Sequence, residues 1–184
     1  ETYDLPYYIA SDLPASTVTV DSAEDLKSLA DGLNAGDASG QAFWFKGMHI
    51  APYGKDWTFL QTCDIDLSQY GEGTGWAPIG RYGFEGTYDG QDHAITGLTI
   101  NNGSTSEIGL FCRNYGTIQN LSVEGGQIVG FEWTGGIVAQ NHGTIQNVHM
   151  RGCDIQGNSF TGGIAGLSVG IVRNCSVTGG IDAG

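Results

Sequence analysis

The side chains best suited to chemistry in this sequence are four aspartates, Asp64, Asp66, Asp89 and Asp92. Clustered carboxylates serve as general acid and base in glycan-cleaving enzymes, and they also bind Ca²⁺. Asp64 and Asp66 stand two apart in the sequence, which places both on one side of a strand, and Asp89 precedes Gly90 in a turn-forming pair. A Ca²⁺ site and roles in turns or at a strand edge therefore both stay open for these residues.

The other reactive residue types lack the spacing of known catalytic or metal sites. The four histidines form no His-Glu-x-x-His motif, and the four cysteines contain no Cys-x-x-Cys pair. Neither Ser159 nor Ser168 stands out as a nucleophile. We therefore predict a chain without catalytic residues and without a resident metal or cofactor, Ca²⁺ excepted.

The second half of the chain repeats itself at a fixed interval. The segment 116–123, GTIQNLSV, recurs as 143–150 and 170–177, and Gly109, Gly136 and Gly163 keep the same interval. A less regular earlier copy, at 93–100, aligns Ile95 with Ile118. The apolar positions change phase within each copy, so short strands must be joined by bends. Short strands, abundant glycine and a fixed period predict a parallel β-helix with coils of about 27 residues.

Stacked coils would place equivalent residues in columns. We expect Ile118, Leu121 and Val123, with their equivalents in the next two coils, to form the core, which makes Cys175 a buried thiol. Two polar columns are expected to be structural ladders, with amides hydrogen-bonded from coil to coil. The first consists of Asn120, Asn147 and Asn174, and the second of Asn114, Asn141 and Ser168.

Two aromatic residues, Trp133 and Phe160, are separated by one repeat period and should share a corner. This corner is either packed into the core or an exposed ledge for sugar rings or a protein partner. Tyr53, Trp57 and Tyr82, in loops of the first half, are comparable candidates for binding.

The first half has a different character. Residues 1–92 carry 15 acidic and 4 basic residues, against 5 and 3 in residues 93–184. We interpret 1–92 as an N-terminal capping region with the first irregular coils, and 93–184 as the repeats. A short helix is predicted near 22–33, with Ser22 as its N-cap and leucines on one face. Segments 42–45 and 57–60 are predicted strands, and 47–56 is predicted to be a loop insertion between them.

Charge and hydropathy narrow the list of partners. The chain carries 7 Lys and Arg against 20 Asp and Glu, a formal net charge of −13, which opposes binding to nucleic acid or to anionic headgroups. No apolar run approaches the roughly 20 residues of a membrane-spanning helix, so membrane insertion is not expected. The chain begins with Glu1 rather than Met, which is typical of a processed or trimmed chain.

Several segments resemble a known family. CDIDL at 63–67, WAPIG at 76–80, FEGTYDG at 84–90 and HAITGLTI at 93–100 resemble the opening module of bacterial surface proteins with GLUG-motif repeats. The later copies of the repeat resemble the family's own repeats in degenerate form. The resemblance covers roughly 18–184 of the sequence. It implies a right-handed parallel β-helix in secreted or wall-anchored, adhesin-like proteins, which also occurs in a non-catalytic region of IgA-specific metalloendopeptidases.

The resulting expectation is an all-β, right-handed solenoid with a helix-containing cap, at the bacterial cell surface or outside the cell. We expect a non-catalytic domain for adhesion or projection, with a host glycan or an extracellular protein as partner. Three alternatives stay open: an accessory region of a secreted metalloprotease, a carbohydrate-active enzyme using Asp89 or Asp92, and a subunit that self-associates through an exposed coil edge.

Overall fold

A computed structural model describes residues 16–184, so the part of the capping region before Ser16 lies outside the described residues. Half of the chain is strand, and the strands stack in parallel as a β-solenoid of about five turns spaced by about 27 residues. The predicted fold class and period are therefore confirmed. Short 3-10 turns at Pro52–Gly54 and Ser68–Tyr70 interrupt the first turns of the solenoid.

Helix α1 (Ala23–Asn34) begins where the sequence predicts it. The Ser22 hydroxyl accepts a hydrogen bond of 3.1 Å from the backbone N–H of Asp25, which satisfies one of the free donors of the first turn. The apolar face of the helix is buried in the hydrophobic core, and the helix packs against Phe43–Phe45 and the 3-10 turn at Pro52–Gly54. The buried face consists of Ala23, Leu26, Leu29, Ala30 and Leu33.

The part of the chain that the structure describes contains eighteen strands. In the capping region they are β1 (Thr17–Val20), β2 (Phe43–Phe45), β3 (Met48–Ile50), β4 (Thr58–Gln61), β5 (Ile65–Asp66) and β6 (Thr87–Asp89). The next strands are β7 (Ala94–Thr96), β8 (Thr99–Asn101), β9 (Phe111–Asn114), β10 (Thr117–Glu124), β11 (Gln127–Val129) and β12 (Glu132–Gly135). The last are β13 (Val138–Asn141), β14 (Thr144–Gly157), β15 (Ser159–Gly162), β16 (Ala165–Ser168), β17 (Ile171–Arg173) and β18 (Ser176–Ala183).

Long strands such as β14 bend around the solenoid and take part in several of its walls. The β1–β4–β6–β10–β14 order continues from the cap into the repeats, because β6 pairs with both β4 and β10. Two smaller parallel sheets, β9–β13–β16 and β12–β15, form the remaining walls. The bends occur where the sequence predicts them: Asn120, Asn147 and Asn174 have left-handed φ values of 52°, 53° and 52°. Asparagine tolerates this conformation better than most other side chains do.

The predicted core columns are present within the repeats. Ile118 pairs with Ile145, which pairs with Val172, and Val123 pairs with Met150 in the same register. In the last turn, however, the core prediction was wrong: Val172 is 41% exposed and Cys175 is only half-buried, because no described turn covers them. Cys112 and Cys153 are the buried thiols, and all four cysteines are free.

The earlier copy at 93–100 was aligned wrongly. Ile95 pairs with Val123 rather than with Ile118, whose partner one turn earlier is Tyr88. The turn at Gln91 and Asp92 uses two left-handed residues where the later turns use one asparagine. Because this corner is longer, residues that match in the sequence repeat do not occupy equivalent positions in this turn of the solenoid.

The prediction of a loop at 47–56 was also wrong in part. Strand β3 lies inside it and pairs with β2 as an antiparallel hairpin. Lys46 and Gly47, with φ values of 49° and 77°, make the two-residue turn. The signal was missed because lysine is an unusual residue at a left-handed turn position.

Candidate ligand-binding surface

The Trp133 and Phe160 side chains stack on one corner of the solenoid, as their spacing by one repeat period predicts. Their ring centroids lie 6.4 Å apart with 25° between the ring planes. Phe160 is 59% exposed and the neighbouring Phe131 is 39% exposed. A core role for this corner therefore does not fit, and the geometry is that of an exposed aromatic ledge.

The backbone explains why these side chains leave the core. Glu107, Trp133 and Phe160 occupy equivalent corner positions with left-handed φ values of 66°, 49° and 51°. The flanking residues hold this corner in place, since β12 pairs with β15 in register immediately after it, at Thr134 with Thr161. We refer to Phe131, Trp133 and Phe160 as the aromatic corner.

The aromatic candidates from the first half are placed differently. Tyr53 donates a hydrogen bond of 2.7 Å to the carbonyl of Ala38. Trp57 is half-buried against the core, and Tyr82 is half-buried with the Arg81 guanidinium 5.6 Å from its ring centroid. Among the ring contacts of the described residues, none joins these three side chains to the aromatic corner, so they belong to the packing of the cap.

Two exposed aromatic features were missed. Tyr115 and His142 stack with ring centroids 4.9 Å apart and 11° between the planes, and Tyr115 is 49% exposed. They are separated by one repeat period, like the pair at the aromatic corner, so the repeat could have revealed them. Trp44 on β2 is 72% exposed, and its ring centroid lies 5.1 Å from that of His49 on β3. This pair depends on the unpredicted hairpin.

The predicted asparagine ladders form hydrogen bonds from turn to turn, except at Asn174, whose side chain forms none with the described residues. In the buried ladder, Asn114 Nδ2 donates to Asn141 Oδ1 at 2.8 Å, and Asn141 Nδ2 donates to Ser168 Oγ at 3.1 Å. In the outer ladder, Asn147 Nδ2 donates to Asn120 Oδ1 at 3.0 Å. Their contacts are with other residues of the fold, which is typical of a structural role.

Ser168 also lies in a nucleophile-like sequence. GLSVG at 166–170 matches the Gly-x-Ser-x-Gly pattern of hydrolase nucleophiles. That pattern requires a strained turn between a strand and a helix, with a histidine beside the serine. Ser168 instead ends strand β16 and accepts the hydrogen bond from Asn141. The position is therefore unlike a nucleophile elbow.

The four aspartates do not gather into one site. Asp64 accepts a hydrogen bond from the backbone N–H of Ala94 at 2.9 Å, and Asp66 accepts one from that of Ser68 at 2.9 Å. Asp89 accepts from the backbone N–H of Gln91, and Asp92 is exposed at the same turn. Within residues 16–184 no group of three or more His, Cys, Asp or Glu side chains is arranged to hold a metal ion.

Burial also makes the cysteines poor nucleophiles. Desolvation raises the pKa of Cys112 to about 12, and the charge of Glu107 acts in the same direction. Desolvation likewise raises the pKa of Cys63 and Cys153. A thiol attacks as its thiolate, so a raised pKa lowers the reactive fraction of these three side chains near neutral pH.

Comparisons with known proteins give limited information. No protein-family model and no solved structure matches the chain. Among curated proteins it is similar to one from Evansella cellulosilytica named "Putative Gly-rich membrane protein", with 40% identity over 81 residues. The match covers 41% of this chain and 9% of that protein, so the chain spans less than a tenth of the relative. The described residues of this chain include no helix long and apolar enough to cross a membrane. The resemblance to GLUG-repeat proteins stays a prediction.

Proposed function

We propose that this chain is a non-catalytic, extracellular β-solenoid domain of a bacterial surface protein, and that it binds a glycan at the aromatic corner. The observation that carries the proposal is the stacking of the half-buried Trp133 on the exposed Phe160. Large aromatic side chains are usually shielded from water, so two exposed phenylalanines, Phe131 and Phe160, beside a half-buried tryptophan favour a binding role.

A glycan fits this surface for a physical reason. Pyranose rings present apolar C–H faces together with hydroxyl edges, and aromatic rings with a wet border suit both. The corner is held by paired strands, so little conformational entropy would be lost on binding. Glu132 lies between Phe131 and Trp133 in the sequence. Its side chain is half-buried and can accept a hydrogen bond from a sugar hydroxyl.

The absence of catalysis and the location outside the cell are parts of the same proposal. The carboxylates considered for acid–base chemistry are dispersed, and three of them accept hydrogen bonds from the backbone. The surface location is supported by the GLUG resemblance and, more weakly, by the name of the Evansella relative.

The test is binding of the whole chain to an array of glycans, followed by titration of the best ligand. Trp133→Asn and Phe160→Asn remove the rings but keep a residue that tolerates left-handed φ, as the asparagines at the other bends do. Each substitution should weaken binding by about tenfold or more, as for a central aromatic contact. Tyr115→Asn is the matched control, since it removes an exposed ring elsewhere.

If the wild type and both corner variants bind the glycan equally well, the aromatic corner is not the binding site. If the chain binds only a matrix protein, saturably, and both variants lose this binding, the corner is the binding site but its ligand is not a glycan. Cleavage of a glycan by the chain would overturn the non-catalytic assignment.

A further inference from the structure

A cleft of about 540 Å³ lies where the cap meets the first repeat turns. Its lining includes the buried side chains of Trp76, Ile100 and Ile108. Polar side chains line the rest of it, from Asn34 and Thr74 to Asn102, Thr105, Ser106 and Arg81. An apolar wall with a few polar groups, in a volume of this size, is typical of small-molecule sites.

Both sides of the cleft are fixed before any ligand binds. On the cap side, Asn34 Nδ2 donates to the carbonyl of Pro78 at 2.9 Å, and Asn34 Oδ1 accepts from the backbone N–H of Arg81 at 2.8 Å. On the repeat side, Thr105 Oγ1 donates to Asn102 Oδ1 at 2.8 Å. A preformed cleft loses little entropy when it is occupied.

The cleft is lined by the carboxylates of Asp31 and Glu107 and by Arg81, whose guanidinium contacts the Tyr82 ring but has no carboxylate partner among the described residues. Glu107 is neutralised by Arg113, whose Nη2 lies 2.7 and 2.8 Å from its two carboxylate oxygens. Asp31 pairs with Lys27 at 2.5 Å. Arg81 is exposed and forms no salt bridge within residues 16–184, so its guanidinium carries the unbalanced charge.

We propose that this cleft binds the carboxylate of a sugar acid, a hexuronate unit of an acidic glycan. The planar guanidinium of Arg81 matches a carboxylate with two parallel hydrogen bonds. The hydroxyls of Thr74 and Ser106 and the amide of Asn102 are of the type that pairs with sugar hydroxyls. The chain as a whole has a net charge of −13, so an anion gains nothing from the general field and depends on this one cation.

The cleft is distinct from the aromatic corner, and the inference does not rest on the proposed function. The lining residues Thr105 and Glu107 lie one turn before the corner and are joined to it by backbone hydrogen bonds, but none of the three aromatic side chains of the corner lines the cleft. A substitution of one of these rings therefore tests the corner and leaves the side chains that line the cleft unchanged.

The experiment is calorimetric titration of the whole chain with galacturonate and glucuronate trisaccharides, and with a neutral galactose trisaccharide. Arg81→Gln should weaken uronate binding by about tenfold or more, because hydrogen bonds between charged groups are the stronger ones. Lys55→Gln removes the same charge from an exposed lysine outside the cleft, and should change the affinity by less than about twofold. Ala77→Trp, at an exposed lining position, should block binding by filling the cleft.

Several outcomes would overturn the inference. These are a lack of saturable uronate binding, wild-type affinity in Arg81→Gln, and equal affinity for the neutral trisaccharide. Trp133→Asn should leave uronate binding unchanged. If this variant loses uronate binding, the uronate binds at the aromatic corner and the proposed site in the cleft is wrong.

Discussion

The capping region and the repeat region wind into one solenoid but fill it differently. From Phe45 to Phe111 the core is a run of aromatic rings, with the Phe84 ring 5.9 Å from that of Phe59 and 5.4 Å from that of Phe111. In the repeats the core is a set of aliphatic columns, in which Ile118 and Ile145 stack in register. Where turns are identical, identical side chains fit one another. Where they differ in length and shape, large rings are needed to fill the space.

Polar groups differ between the two regions in the same way. The repeats contain ladders of neutral amides beside two ion pairs, Arg113 with Glu107 and Arg151 with Glu124. In one such ladder, Gln146 Nε2 donates to Gln119 Oε1 at 2.7 Å, one turn earlier. Where the cap meets the repeats, Asp89 accepts hydrogen bonds from Gln119 at 2.8 Å and from Asn120 at 3.0 Å. One carboxylate therefore ends both the glutamine ladder and the outer asparagine ladder. The cap relies on individual ion pairs, such as that of Lys46 with Asp25. A repeat lets each turn satisfy the next, whereas an irregular turn needs its own partner for every group.

The largest expected effect is at the aromatic core. Phe84 is fully buried between two rings, and Phe84→Ala removes contacts on both sides. We expect the free energy of unfolding to fall by about 3–5 kcal/mol. Urea denaturation followed by far-UV circular dichroism measures this loss.

The matched control lies in the aliphatic columns. Ile145→Val deletes one methylene group from a fully buried side chain and should cost about 0.5–1.5 kcal/mol. If Phe84→Ala cost no more than Ile145→Val, the aromatic run would not be what holds the cap to the repeats.

The second prediction compares the two asparagine ladders. Asn141 is fully buried, and Asn141→Ala leaves the Asn114 amide without its 2.8 Å acceptor. The expected loss of stability, measured by the same urea denaturation, is about 2–3 kcal/mol, because the buried Asn114 donor keeps only two contacts of 3.4 Å, to the carbonyls of Gly116 and Thr144. Asn147→Gly in the exposed ladder keeps a residue that tolerates the left-handed φ and should cost about 1 kcal/mol, since water replaces the lost hydrogen bond.

If both variants lost the same free energy of unfolding, burial would add nothing to the stability that the buried ladder contributes.

The buried ladder begins with an unsatisfied atom: Asn114 Oδ1 has no hydrogen-bond partner among the described residues. The residue paired with Asn114 one turn earlier is Phe84, which offers no side-chain donor. The ladder therefore starts where the aromatic core ends.

The repeats were predictable because a constant period in the sequence means that equivalent residues stack. That period fixed the registers of Ile118, Ile145 and Val172, and it placed the asparagines at the bends. The first turns were not predictable in this way. Extra corner residues near Asp92 displaced the alignment, and only the folded chain shows which residues share a turn.

The two candidate binding sites differ in the same way in how far the sequence predicts them. The stacking of Trp133 on Phe160 followed from the period, but the exposure of Phe160 did not, because a corner side chain can lie inside or outside the same backbone path. The cleft at Arg81 was not predictable at all. Its residues come from the helix, from the loop before β6 and from the loop after β8, and no sequence pattern links these segments.

The smallest effect concerns the ion pairs of the cap. Burial raises the pKa of Asp21, but hydrogen bonds from Lys46, Thr62 and Thr19 outweigh it, so the pKa lies below its ordinary value. Burial lowers the pKa of Lys46, but Asp21 and Asp25 outweigh it, so that pKa is raised. The stabilising effect of Asp21 is therefore lost as the pH falls through its lowered pKa, and that of Lys46 only at strongly alkaline pH.

Lys46→Met should reduce the free energy of unfolding by less than about 1 kcal/mol at pH 7, since these side chains are partly exposed. The difference from the wild type should shrink by about pH 3, where the carboxylates begin to gain protons. Thermal unfolding of both proteins at the two pH values measures it, with Lys55→Met as the control. The cost of Asn141→Ala should be the same at both pH values, because amides do not titrate. A loss in Lys46→Met that persists in acid would contradict the assignment of this loss to the ion pairs of Lys46.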